Sequence, residues 1–175
     1  MHLDHDEEDY NLSLSKFESM LKTNKVFFFD SEEFEEIILH YLDMGKATLA
    51  KKALKLGLEQ HPKSTGLKLV QVEMLVYDDK LDQAEKLLNE LYAIEPTNEE
   101  IFIQKANIYS KRDQHEKAVE FLQTALKYTD DYADVYNLIG MEYLFMDNLE
   151  QAKQSFINCL EEDIEDQSAL YNVVY

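Results

Sequence analysis

The sequence has few of the residues that cross-link, bend or anchor a chain. It contains one cysteine, Cys159, so an internal disulfide is excluded, and we expect this side chain to be a small buried hydrophobe. Four glycines and two prolines in 175 residues are few for a fold of many strands and tight turns, which favours a nearly all-helical protein. There is no long apolar run, and residues 1–9 are acidic. We therefore expect neither a membrane span nor a secretory signal, and we expect a cytoplasmic protein.

Basic residues are also scarce. The chain has 17 Lys and Arg against 36 Asp and Glu, which gives a formal net charge of −19. A protein with this charge repels the phosphates of a nucleic acid and attracts basic partners. We therefore expect no nucleic-acid partner and no membrane partner.

The sequence lacks the motifs that carry chemistry. It has no glycine-rich phosphate loop, no Gly-x-Ser-x-Gly elbow, no His-Glu-x-x-His pair and no paired cysteines. We predict that the protein is not an enzyme and uses no cofactor.

Possible cation ligands are present, but no pattern fixes their geometry. The first group lies in the acidic start of the chain and consists of His2, Asp4, His5 and Asp6. A second acidic group at 161–166 lacks the alternating ligands and central glycine of a calcium loop. His40, His61 and His115 have no carboxylate or second histidine at ligand spacing. We predict a solvated tail, a solvated helix end and partly packed histidines, with no metal site.

One alanine recurs at a constant interval of 34 residues, at Ala50, Ala84, Ala118 and Ala152. Four residues after each alanine comes a large apolar residue, in the series Leu54, Leu88, Leu122 and Phe156. A constant period of this length is typical of a repeat protein built from helix–turn–helix units. Small residues occur where two helices cross closely, and large ones fill the adjoining grooves.

This pattern resembles the tetratricopeptide repeat family. The resemblance is closest in the last complete repeat, through Tyr136, Ile139, Gly140, Tyr143, Ala152 and Phe156. The family's terminal proline is present at Pro62 and Pro96 and is replaced by Asp130 and Ile164. The second repeat departs most, because Lys68 and Gln71 occupy columns that are usually apolar. The resemblance implies a right-handed α-solenoid of antiparallel helix pairs.

The repeat period predicts the organisation of the chain. We expect a disordered acidic tail at 1–10, a capping helix and aromatic linker at 11–30, and repeats at 31–64, 65–98, 99–132 and 133–166. Asp30 with Glu33 predicts a capping box, and the aromatic residue before it is expected to pack onto the first turn of the helix. Residues 167–175 have the spacing of a leading helix that starts a truncated fifth repeat. We therefore expect a fragment of a longer array, with self-association possible through its exposed carboxy-terminal edge.

Each leading helix has a second stripe that does not pack on its neighbours, and the resemblance implies that these stripes form a concave groove for a peptide or a helix. The candidate groove residues are Glu35, Leu39, Leu42, Leu69, Glu73, Val76, Tyr77, Ile103, Asn107, Lys111, Asn137, Met141 and Leu144. Acidic margins and apolar centres predict a partner segment with apolar and basic residues.

One version of the family grips a terminal carboxylate of its partner with lysines, arginines and asparagines on these columns. Only Asn107, Lys111 and Asn137 are present here, and Glu73 and Asp134 would repel a carboxylate, so we do not expect that specificity. The sequence therefore predicts a protein-interaction scaffold. The alternatives are a structural spacer or self-assembly module, or the accessory region of a longer protein.

Overall fold

The computed structural model describes the backbone of residues 3–174 and the side chains of residues 11–163. Within this range the chain forms nine helices and no strand. Their bounds are α1 Leu3–Lys22, α2 Ser31–Asp43, α3 Ala47–Gln60, α4 Thr65–Tyr77, α5 Leu81–Ile94, α6 Glu99–Lys111, α7 His115–Ala125, α8 Tyr132–Phe145 and α9 Leu149–Val174. The described backbone has no helix that is both apolar and long enough to span a bilayer. The helices form two compact units, one ending at Gln71 and the other beginning at Val72.

The four recurring alanines lie at the centre of the hairpins. Ala50, Ala84, Ala118 and Ala152 are each at most 1% exposed. A methyl group is the largest side chain that such a helix crossing accepts without separating the helices, and this explains why the column does not vary.

The turn inside each hairpin contains one residue with a left-handed backbone. These residues are 34 apart in sequence, with φ values of 69° at Gly45, 59° at Asp79, 57° at Asp113 and 56° at Asp147. Aspartate tolerates this conformation better than most non-glycine residues, because its short side chain can hydrogen-bond locally. The chain can therefore make four similar turns with a single glycine among them.

The amino-terminal unit packs around aromatic side chains. The ring of Phe17 in α1 contacts those of Phe29, Phe34 and Tyr41, with centroids 6.0–6.5 Å apart. The predicted capping box is present, since the Oε2 of Glu33 accepts a hydrogen bond of 2.8 Å from the backbone N–H of Asp30. The predicted aromatic contact is also present, because the rings of Phe29 and Phe34 lie 5.3 Å apart.

Gln60, at the end of α3, holds the linker between α1 and α2. Its side-chain amide donates to the carbonyl of Phe27 at 2.8 Å and accepts from the N–H of Phe29 at 3.1 Å. The Nε2 atom of His61 lies 2.6 Å from the carbonyl oxygen of Phe29. One side-chain amide thus satisfies two backbone groups of a segment that lies outside any helix.

The carboxy-terminal unit has a continuous apolar core. Buried residues of α6, α7 and α8 form one cluster, consisting of Phe102, Ala106, Ala118, Val119, Leu122, Ala125, Val135 and Ile139. Gly140 of α8 lies directly against the ring of Phe156 in α9, where a Cβ atom would be 2.6 Å from a ring carbon. The phenylalanine therefore occupies the volume that a side chain at residue 140 would need.

Two expectations about the ends of the chain are not met. Helix α1 begins at Leu3, so the backbone from residue 3 to 10 is helical where a disordered tail was expected. Helix α9 continues without a break to Val174, so no separate leading helix starts near 167. Residue 164 is isoleucine where the first two repeats have a proline, and nothing at that point ends the helix.

Candidate partner-binding surface

In the carboxy-terminal unit, several predicted groove residues are accessible. Tyr77 at the end of α4 is 81% exposed, and Met141 and Leu144 of α8 are 40% and 39% exposed. Asn107 of α6 and Asn137 of α8 are exposed as well. The accessible part of the stripe therefore combines large apolar side chains with amides.

Other predicted groove residues are not accessible. Leu69 and Val76 are buried, and the half-buried Ile103 packs against the core cluster of the carboxy-terminal unit. Helix α4, with the sequence TGLKLVQVEMLVY, is apolar on nearly all sides, so periodicity alone does not show which face is exposed. The assignment of Leu69 and Val76 to an open groove was wrong for this reason.

Helix α2 of the amino-terminal unit contributes three of the predicted residues. Leu39 of α2 is exposed, while Leu42 and Glu35 are half-buried. The carboxylate of Glu35 lies against Gly66 near the start of α4, in the space that a side chain at 66 would fill. Burial, followed by repulsion from Glu32 and Glu36, raises the pKa of Glu35.

Two carboxylates of neighbouring leading helices share one donor. The Nε2 atom of Gln104 in α6 donates to Glu73 of α4 at 3.1 Å and to Glu100 of α6 at 2.8 Å. Burial raises the pKa of Glu73, and the charge of Glu100 raises it further. The pKa of Glu100 is also raised, first by burial and then by Glu99 and Asp134. Negative charge is therefore concentrated at this part of the surface.

Lys111 has a structural contact that the sequence did not reveal. Its Nζ atom donates a hydrogen bond of 2.9 Å to the backbone carbonyl of Val76 in the last turn of α4. The same carbonyl also accepts a hydrogen bond of 3.2 Å from the backbone N–H of Asp79, so Lys111 adds a second donor to it and complements the helix dipole. Lys111 thus caps α4, and this contact competes with any role in binding a partner.

A second contact missed by sequence reasoning involves Phe145 of α8. The ring of Phe145 is 59% exposed and stacks on the imidazole of His115, with centroids 5.1 Å apart and planes inclined by 27°. The Nδ1 atom of His115 lies 2.7 Å from an oxygen of the buried Glu142. His115 is partly packed, as expected, but sequence spacing did not reveal its partner, because Glu142 is 27 residues away and no local pattern links the two.

No metal site is visible where side chains are described. Between residues 11 and 163, no three His, Cys, Asp or Glu side chains are grouped so as to hold a metal ion. His2, Asp4, His5 and Asp6 lie outside these residues. Cys159 is partly buried, and burial followed by the charge of Asp163 raises the pKa of its thiol, which makes the thiol less reactive.

Comparisons with known proteins agree on one family. A tetratricopeptide repeat model matches residues 75–141, and a second tetratricopeptide repeat model matches residues 133–163. A comparison with curated proteins gives no significant match.

Solved structures show the same fold. TTC0263, a thermophilic TPR protein of Thermus thermophilus, is 22% identical with a TM-score of 0.73, over 93% of this chain and 88% of that one. A crystal structure of MamA is 17% identical with a TM-score of 0.65, over 93% and 94% of the two chains. A MamA fragment of Desulfovibrio magneticus RS-1 is 16% identical with a TM-score of 0.64, over 89% and 86%. These likenesses confirm the predicted all-α helical-repeat solenoid class.

Proposed function

The chain belongs to the tetratricopeptide repeat family, and from this premise we propose that it is a non-enzymatic, cytoplasmic protein-interaction scaffold. A segment of a partner protein binds to the exposed stripe of the leading helices. The observation that carries this proposal is the exposure of large apolar side chains on α4 and α8, namely Tyr77, Met141, Leu144 and Phe145. Large apolar side chains grouped on a surface favour association, because binding removes them from water.

The acidic character of this surface supports a basic partner. Glu73 lies on α4, the helix of Tyr77, and Asp134, which acts electrostatically on Glu100, is exposed at the start of α8, the helix of Met141. The apolar side chains of such a partner would bury the exposed apolar side chains of this surface, and its basic side chains would neutralise the carboxylates. The fold itself hosts many functions, so the proposal depends on this surface and not on the family alone.

Photo-cross-linking tests the location of the site. The cross-linking amino acid p-benzoylphenylalanine replaces Tyr77 or Met141 in one set of proteins, and Lys86 or Glu90 in a matched set. All four positions, Tyr77, Met141, Lys86 and Glu90, are exposed, and Lys86 and Glu90 lie on α5 of the same unit. We expect protein adducts from the first set after exposure to cell extract. Equal yields from the two sets would show that the leading helices are not the site.

A charge-reversal variant tests the same surface independently. Asp134→Lys changes an accessible side chain and should reduce the yield of the Met141 adduct, because it removes the attraction for a basic partner. Glu120→Lys, on the exposed side of α7, makes the same charge change away from the stripe and should leave the yield unaltered.

Self-assembly is the competing function, and one observation favours it. Leu149 and Leu160 of α9 are exposed, together with the partly exposed Ile157. Static light scattering over a range of protein concentrations separates the two functions. A self-assembly module gains mass with concentration and loses that gain in the double variant Leu149→Ser, Leu160→Ser, whereas a monomeric scaffold shows constant mass.

A further inference from the structure

We propose that the segment bound by the carboxy-terminal unit is an extended stretch of another protein with a two-ended pattern. It carries a lysine or arginine at one end and a large apolar side chain at the other, about three to five residues apart. The inference rests on the proposed function and adds the order, spacing and backbone form of the partner. The basic end of the segment contacts Glu73, Glu100 and Asp134, and its apolar end contacts Met141, Leu144 and Phe145.

The acidic end is built from three different helices. Gln104, which is only 4% exposed, links Glu73 of α4 to Glu100 of α6 through its single Nε2 atom. Asp134 of α8 is close enough to act electrostatically on Glu100. No lysine or arginine forms an ion pair with these three carboxylates among the side chains described. A guanidinium or ammonium group from a partner supplies the missing charge.

The apolar end lies further along the same helix faces. Asp134, Met141 and Phe145 are separated by seven and four residues, so all three project from one side of α8. One face of the Phe145 ring stacks on the imidazole of His115, and His115 is in turn within hydrogen-bond distance of the buried Glu142. A supported and exposed ring offers a partner side chain a surface that loses little conformational freedom on binding.

The distance between the two ends determines the spacing in the partner. Met141 and Phe145 lie seven and eleven residues after Asp134, which corresponds to a rise of about 10–16 Å along α8. An extended chain covers this distance in about three to five residues at about 3.3 Å each. A helical segment would need about seven to eleven residues for the same distance.

The amides between the two ends favour the extended form. Asn107 and Asn137 are exposed on α6 and α8. Each presents both donors and an acceptor. An extended segment has unpaired backbone N–H and C=O groups for these amides, whereas a helix has already paired its own.

Charge complementarity selects the occupant. The chain has a formal net charge of −19, so a second copy of it or a nucleic acid is repelled from this acidic face. A basic segment of a different protein is attracted. Aromatic and aliphatic neighbours on the same face then require that the segment also carries an apolar side chain.

Selection from a random twelve-residue phage-displayed peptide library on the whole protein tests the pattern. We expect the enriched peptides to share a lysine or arginine and a large apolar residue at the stated spacing. Each selected peptide is then synthesised with a fluorescent label, and its affinity is measured by fluorescence anisotropy for three variants. The first is Glu73→Gln, Glu100→Gln, Asp134→Asn; the second is Leu144→Ser, Phe145→Ser; the third, a control, is Glu90→Gln, Glu116→Gln, Glu120→Gln.

The control removes the same number of charges from exposed positions of α5 and α7. We expect the first variant to lose about tenfold or more in affinity, equivalent to about 1.4 kcal/mol, and the control to lose less than about twofold. When the selection is repeated on the first variant, the enriched peptides should lack the shared basic residue and keep the apolar one. On the second variant, they should keep the basic residue and lack the apolar one. Circular dichroism verifies that each variant is helical.

The outcomes separate this inference from the proposed function. If the enriched peptides bind and both groove variants weaken them, but no basic and apolar residues recur at this spacing, the two-ended pattern is overturned and the binding surface stands. If no peptide is enriched, or if binding is unaffected by either groove variant, the inference and the surface both fail.

Discussion

The contact between Gly140 and Phe156 allows a quantitative test of how closely the paired helices α8 and α9 are packed. A methyl group at residue 140 would lie 2.6, 2.8 and 2.9 Å from three carbons of the Phe156 ring. Ordinary contact begins near 3.4 Å, so the closest pair overlaps by 3.4 − 2.6 = 0.8 Å. Gly140→Ala therefore forces the ring or one helix to move.

The expected magnitude combines two opposing terms. Overpacking a core contact costs about 1–3 kcal/mol. Replacing a mid-helix glycine by alanine gains about 1 kcal/mol of helix propensity. We expect Gly140→Ala to be neutral or destabilising by up to about 2 kcal/mol, which lowers Tm by up to about 8 °C for a chain of this size. In a Phe156→Leu background the overlap is removed, so the same change should stabilise by about 1 kcal/mol.

Thermal and urea unfolding of the wild type, both single variants and the double variant, followed by circular dichroism, give the coupling energy. We expect a coupling of about 1–3 kcal/mol in favour of the double variant. The preceding repeat provides the matched control, because Ala106 and Leu122 occupy the equivalent positions in the core cluster. Ala106→Gly should cost about 1 kcal/mol without such coupling to a change at 122. An equal effect of Gly140→Ala with phenylalanine or leucine at 156 would refute the steric account.

Three further predictions concern other parts of the chain. Gly45→Ala should lower the free energy of unfolding by about 1–2 kcal/mol, since φ is 69° and no atom lies within 4 Å of a Cβ there; Gly45→Asp should cost less in the same urea titration. Gln60→Ala should destabilise by about 1–3 kcal/mol, because it leaves the backbone groups of Phe27 and Phe29 unpaired, and faster hydrogen exchange at Phe29 reports the loss. The pKa of Glu73 is higher in the folded state than in the unfolded state, so ionisation of this carboxyl destabilises the fold as pH rises from the unfolded-state pKa through the folded-state pKa. Glu73→Gln should therefore raise Tm at pH 7 and have little effect below the ordinary glutamate pKa. A lower Tm at pH 7 would contradict this.

The 34-residue period predicted most of the secondary structure for a physical reason. Alanine at the crossing and a large apolar residue four positions later are requirements of packing, and packing determines where the paired helices lie. The leading helices Ser31–Asp43, Thr65–Tyr77 and Glu99–Lys111 therefore begin at intervals of 34 residues. The repeat boundaries themselves stay predictions.

The candidate surface was less predictable, because exposure depends on contacts that are distant in sequence. Leu69 and Val76 fit the stripe by spacing, but α4 is apolar on nearly all sides and the structure buries both. Lys111 has the character of a ligand-binding cation, yet its partner is a carbonyl 35 residues away. His115 and Glu142 come from different repeats, and only the packing of α7 against α8 joins them.

The recurrence of one backbone conformation at Gly45, Asp79, Asp113 and Asp147 has an engineering consequence. Helix hairpins whose turns have the same backbone conformation at the same position of the repeat can follow one another in any number. Duplicating residues 99–132 in tandem would place a fifth left-handed turn 34 positions further along, with its alanine and leucine columns already in phase. Lengthening this array therefore needs no redesigned connection, only another copy of a block that the chain already contains.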